Sequence, residues 1–114
     1  MDYETLLYEQ DDHVVTLTYN RPDQRNALNM QMRDEMELIV AQVRDDAAIR
    51  AVVLTGAGGH FCAGGDVKGM GEVQASKDSF SGRERLRGLQ RWVDELIDLE
   101  KPVIAAVDGV AFGA

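Results

Sequence analysis

The chain predicts an α/β fold, on three observations. Two short apolar runs, Ala51-Val52-Val53-Leu54 and Val103-Ile104-Ala105-Ala106-Val107, have the length and β-branched content of buried strands. Two longer segments, 30–47 and 83–99, carry apolar residues at intervals of three and four, the period of an amphipathic helix. The two kinds alternate, and the strand–helix–strand order over 51–107 is that of a β-α-β unit with parallel strands.

Each element follows from local chemistry. Thr5 to Gln10 and His13 to Tyr19 read as two strands, the second β-branched and loosely alternating, with Asp11-Asp12 as the turn of a hairpin. His13 reads as a surface residue at a strand start, with no catalytic role. Asn20-Arg21-Pro22-Asp23 ends the second strand, because proline cannot donate to a ladder. Residues 24–28 form a short linker, and Asn29 is a helix N-cap. In the first helix Met32, Met36, Ile39, Val40, Val43 and Ala47 share the apolar face; the methionines read as core. A short helical turn is expected over 67–74 and a surface loop over 75–82. The second helix presents Leu86, Leu89, Val93, Leu96 and Ile97 on one face, with Trp92 at its edge, and Pro102 stops it.

Composition excludes several classes of function. The 114 residues suffice for one small domain with a core, and 45% hydrophobic with 28% charged residues is a globular balance. A net charge of −8 argues against a nucleic-acid partner, which needs a basic surface. The cluster Arg83, Arg85, Arg87 and Arg91 reads as a solvated helix face. The single cysteine, Cys62, allows no internal disulfide and points to a reducing compartment. No apolar run reaches the roughly 18 residues of a membrane span. Met1-Asp2-Tyr3-Glu4 lacks the basic start and apolar stretch of a signal peptide, so a cytoplasmic location is expected.

The densest signal lies after the 51–54 strand, where five glycines fall between Gly56 and Gly65. Such density lets backbone N–H groups approach a ligand and point one way, although such a turn can also be a plain connection. It is not a dinucleotide fingerprint, since Phe61 stands where the third glycine belongs, nor a P-loop, since no Lys-Ser/Thr pair follows. If the 51–54 and 103–107 strands are neighbours, the turns at Gly64-Gly65 and Gly113-Ala114 fall on one edge of the sheet. Two backbone amides then converge, which is the geometry of an oxyanion hole.

Five blocks in this order and spacing resemble the enoyl-CoA hydratase/isomerase (crotonase) superfamily. They are Asn20-Arg21-Pro22 with Asn26-Ala27-Leu28-Asn29, Val52-Val53-Leu54-Thr55-Gly56, Phe61-Cys62-Ala63-Gly64-Gly65-Asp66-Val67-Lys68, Lys101-Pro102-Val103-Ile104-Ala105-Ala106-Val107, and Asp108-Gly109-Val110-Ala111-Phe112-Gly113-Ala114. The resemblance implies a crotonase-like ββα spiral fold, and an enzyme of fatty acid metabolism, a lyase or isomerase, acting on acyl-CoA thioesters. By motif match the oxyanion donors are the N–H groups of Gly65 and Ala114. Arg25, Ala27, Ala63, Gly65, Asp66 and Val67 match positions that hold coenzyme A, and Lys68, Met70 and 71–82 border the acyl pocket. Coenzyme A is part of the substrate, and no separate cofactor or metal is implied; a homotrimer or hexamer is. The family's catalytic acids lie downstream of these blocks, and Asp66, Glu72, Asp94 and Glu95 match none of them. Residues 1–114 are therefore expected to be the N-terminal part of such a domain. The alternative is a truncated, non-catalytic module that binds coenzyme A or a partner.

Overall fold

A computed structural model describes residues 2–65 and 90–113. Four strands form one sheet in the order β1-β2-β3-β4: β1 is Leu6–Asp11, β2 Val14–Tyr19, β3 Ala51–Gly56 and β4 Val103–Ala105. β1 and β2 are an antiparallel hairpin with Leu6 opposite Tyr19. β2 and β3 are parallel, as are β3 and β4, so the expected β-α-β neighbours do lie side by side. The hairpin turn is displaced by one residue. Asp11 pairs within β1, and Asp12, with φ 55°, makes the turn together with His13. His13 is thus a turn residue rather than a strand start. Its Nδ1 lies 2.7 Å from the Ala48 carbonyl, and its own carbonyl accepts the Arg50 and Ala51 N–H groups.

The first helix, α1, runs Met30–Asp45. Asn29 caps it as expected, its side chain accepting the Met32 N–H at 2.9 Å. Met32, Met36, Ile39, Val40 and Val43 are buried, but Ala47 lies beyond the helix and is exposed. The sheet meets this face with alternate residues: Val15, Leu17 and Tyr19 of β2 and Val52 and Leu54 of β3. The parallel register sets Val15 beside Val52 and Leu17 beside Leu54, which makes one continuous apolar surface. Burying each such aliphatic side chain is worth about 2 kcal/mol. Ala51 and Val53 are only half-buried, so β3 is enclosed on one face rather than both. The end of α1 is tied down from outside the helix. The Lys101 ammonium donates to the carbonyls of Val43 and of Asp46, the latter at 2.8 Å, at the helix end that favours a cation.

Of the second helix, residues 90–97 are described; the expected faces at Leu86 and Leu89, the turn over 67–74, the loop 75–82 and Arg83, Arg85 and Arg87 lie outside the described residues. Trp92 and Leu99 are buried, and Val93 and Leu96 pack against the core. Of the expected face Val93 and Leu96 turn inward while Ile97 is 74% exposed, and Trp92, expected at the edge, is buried. β4 also departs from expectation. It pairs over three residues rather than five, and Ile104 and Val107 are more than half exposed. Among the described residues β4 is the edge of the sheet, so its apolar side chains have a neighbour on one side only. Among the described residues no helix is long and apolar enough to cross a membrane.

One buried charge fastens the start of the sheet. Glu35 of α1 is 8% exposed, and its carboxylate accepts the Thr5 N–H at 2.9 Å, the Thr5 hydroxyl at 2.5 Å and the Glu4 N–H at 2.9 Å. Three donors to one carboxylate make burial of the charge tolerable. Glu35→Ala leaves those donors unpaired and is expected to destabilise the fold by about 3 kcal/mol, read as a lowered denaturation midpoint. Glu35→Gln, which keeps an acceptor oxygen, is expected to lose less.

Candidate active site

The parallel order of β2, β3 and β4 continues past their carboxyl ends as a second, shorter ladder. Its three strips are the segments 25–28, 62–65 and 110–113. After β2, the 3-10 turn Pro22–Gln24 and two left-handed residues, Arg25 (φ 50°) and Asn26 (φ 58°), reverse the chain. Leu28 then forms a parallel bridge with Gly65, and Cys62 forms one with Ala111. Leu28 was expected in a mere linker, yet it is 2% exposed. The bonds alternate across the middle strip. Cys62 N–H donates to Val110 O at 2.9 Å and Phe112 N–H to Cys62 O at 3.0 Å, while Ala63 N–H donates to Arg25 O at 3.0 Å and Leu28 N–H to Gly64 O at 2.8 Å.

That pattern sets the direction of the Gly65 amide. No peptide bond among the described residues is cis. In a planar trans peptide the carbonyl and the N–H point opposite ways. The Gly64 carbonyl is held by Leu28, so the Gly65 N–H points away from Leu28, to the side where 110–113 passes. The approach on that side is close. A side chain on Gly64, at φ 94°, would meet the Phe112 carbonyl oxygen at 2.9 Å and the Gly113 Cα at 3.7 Å.

Asn26 locks the turn that leads into the middle strip. It is fully buried; its Oδ1 accepts Arg21 N–H at 2.8 Å, and its Nδ2 donates to the carbonyls of Ala57 at 2.9 Å and His60 at 2.6 Å. Beneath the strip Tyr19 and Phe61 meet edge to face, with ring centroids 5.5 Å apart. Burial pushes the Tyr19 hydroxyl above its ordinary range. The Cys62 thiol is also raised by burial, against the Gly64 N–H bonded to its sulfur at 3.4 Å and the nearby Arg33 charge. A buried thiol held protonated is a packing group, not a nucleophile. The same burial lowers Arg33.

Four of the expected site residues are gathered by this ladder. Arg25 and Ala63 share a hydrogen bond, Ala27 lies between Arg25 and the Leu28 bridge, and Gly65 completes that bridge. The Arg25 side chain is exposed at the edge, and Ala27, Ala63 and Gly65 are half-buried. Asp66, Val67 and Ala114 lie outside the described residues, as do Lys68, Met70 and Glu72. Glu95 is elsewhere: with Asp34, Glu37, Leu38, Ala41 and Arg44 it lines an open groove of about 410 Å³ on the face of α1 opposite the sheet. The residue that sequence reasoning missed is Asn26. The available signal was an asparagine three residues before the Asn29 cap in a tight linker, a type that tolerates the left-handed region.

The third strip is seated by Gly109. At φ 69°, it lies so close to Gly59 that an added Cβ would fall 2.1 Å from that residue's carbonyl oxygen. Gly109→Ala combines a left-handed alanine, roughly 1–2 kcal/mol, with a backbone clash that only displacement relieves. It is expected to destabilise the fold by at least about 2 kcal/mol. Chemical denaturation with probes at the 110–113 segment measures this.

The sequence profile described as enoyl-CoA hydratase/isomerase matches residues 9–114. The chain is 37% identical over 117 residues to a short-chain-enoyl-CoA hydratase of Clostridium acetobutylicum, covering 99% of this chain and 42% of that protein. It is 39% identical over 111 residues to a 1,2-epoxyphenylacetyl-CoA isomerase of Escherichia coli K12, covering 97% and 42%. Among solved structures, Pseudomonas aeruginosa AtuE superposes with a TM-score of 0.85 at 40% identity, covering 94% of this chain and 41% of that one. An enoyl-CoA hydratase from Shewanella pealeana gives 0.88 at 26% identity, covering 96% and 41%. The described architecture is thus an incomplete crotonase-type α/β fold, and the chain spans about two-fifths of the length of these relatives. With its profile match running from residue 9 to residue 114, this chain belongs to the enoyl-CoA hydratase/isomerase family.

Proposed function

We propose that the protein acts on enoyl-CoA thioesters, adding water across the double bond or moving it, with the thioester carbonyl held by the N–H groups of Gly65 and Ala114. The observation that carries this is the direction of the Gly65 amide, fixed by the Gly64 carbonyl's bond to Leu28 and turned toward the strip that leads to Gly113. Both reactions place negative charge on the thioester oxygen. A fixed amide there stabilises the enolate without reorganising at the moment of reaction.

In this reading the substrate's coenzyme A portion runs along the edge made by Arg25, Ala27, Ala63, Gly65, Asp66 and Val67. The exposed Arg25 guanidinium supplies positive charge for its phosphates on a protein of net charge −8. No separate cofactor or metal belongs to the proposal. The proton is moved by a carboxylate, which we assign to none of Asp66, Glu72, Asp94 or Glu95. A homotrimer or a hexamer, a cytoplasmic setting and a role in fatty acid metabolism complete the reading.

The test is turnover of a short enoyl-CoA by the protein at its natural length, beside Gly65→Pro, which lacks the N–H. Losing an oxyanion donor is expected to lower kcat by about 100-fold or more, with thioester binding largely retained. A wild-type protein that neither binds nor converts any enoyl-CoA contradicts the proposal.

A further inference from the structure

We infer that Asn26 is the positioning residue of this site, setting the separation between the two segments that carry the oxyanion amides, 62–65 and 110–113. The inference rests on the functional reading above. The decisive unit is the peptide between His60 and Phe61. Its carbonyl accepts the Asn26 amide at 2.6 Å, and its N–H donates to Val110 O at 3.0 Å. A trans peptide is rigid, so a shift of the His60 carbonyl moves the Phe61 N–H and the bond to Val110 with it. Cys62 N–H shares the same Val110 oxygen at 2.9 Å.

Asn26 acts on the other side of the middle strip through its own neighbour. Arg25, bonded to Asn26 in the chain, receives the Ala63 N–H. The Asn26 side chain thus fixes the 57–60 turn that enters the 62–65 strip, while the carbonyl of its neighbour Arg25 holds Ala63 within it. Both amide protons of Asn26 are engaged, on Ala57 and His60, and its oxygen takes Arg21 N–H. The site requires two donors and one acceptor from a single planar group, which asparagine supplies and an ionised aspartate cannot. Being fully buried, Asn26 touches no reacting atom and acts only through the backbone it holds.

The test uses the natural-length protein and Asn26→Asp, reading kcat against thioester Kd over pH. Ionised, the new side chain faces the Ala57 and His60 carbonyls without a donor; protonated, it regains one. Thioester Kd is expected to stay within about threefold of wild type while kcat falls at least about 30-fold near pH 8 and partly recovers as the acid protonates toward pH 6. A folded variant with wild-type kcat at every pH overturns the positioning role but leaves the enzyme reading intact. A wild-type protein without turnover or thioester binding overturns both. If Asn26→Asp does not fold, wild type still decides the matter. The Asn26 side-chain amide resonances are expected to shift when a β-ketoacyl-CoA, whose enolate mimics the reaction's, is bound. Unchanged resonances overturn the inference.

Discussion

The orientation of one peptide plane, between Gly64 and Gly65, is the constraint on which the site depends. Its carbonyl is taken by Leu28, and planarity turns its N–H toward the strip that ends at Gly113. Everything upstream serves to place that plane. β3 brings the chain to the sheet edge, the Asn26 amide holds the 57–60 turn, and the Ala63 bond to Arg25 aligns the strip. Among the described residues the amide is pointed by backbone bonds. A donor held by backbone geometry keeps its direction whatever the pH, and it costs no reorganisation when charge develops near it.

Beneath this ladder the fold is an apolar sandwich of α1 on the sheet, with a few polar fasteners at its borders. Met32, Met36, Ile39, Val40 and Val43 meet the Val15–Val52 and Leu17–Leu54 pairs. Glu35 ties the first strand to the helix, and Lys101 ties the approach to β4 to the helix's carbonyl end. These contacts join elements far apart in sequence, so the site's three strips sit on a frame fixed by one helix. The apolar side chains of Ile104, Val107 and Phe112 remain outward along β4 and its following strip. That edge contrasts with the β2–β3 centre, whose helix-facing residues Val15, Leu17, Val52 and Leu54 are buried.

Much of this was legible in the residues. Apolar periodicity located α1 and the parallel strands, and the proline and asparagine signals placed the break after β2 and the cap of α1. The misses share a cause. The turn at Asp12-His13, the outward Ile97 and the short, exposed β4 depend on which neighbours a segment meets, and periodicity is silent on that. Nothing in the helical period singles out Glu35; only the fold brings Thr5 and Glu4 over it. In the site, the glycine pattern pointed to converging amides. It did not reveal that 25–28, within a linker by composition, becomes a strip of the ladder, because a parallel bridge such as Leu28–Gly65 leaves no local trace in either segment.

Family membership gives that geometry a chemical setting. The proposed reaction needs the thioester carbonyl drawn into hydrogen bonds, and the orientation of the Gly65 amide is the part of that arrangement built by this chain's described residues. The most direct measurement is the infrared spectrum of an enoyl-CoA labelled with ¹³C at its thioester carbonyl, free and bound to the natural-length protein. The account predicts that binding moves the labelled carbonyl stretch to lower frequency, as hydrogen bonding polarises the C=O bond. A bound thioester whose carbonyl stretch equals that of the free molecule in water, or lies above it, contradicts the account.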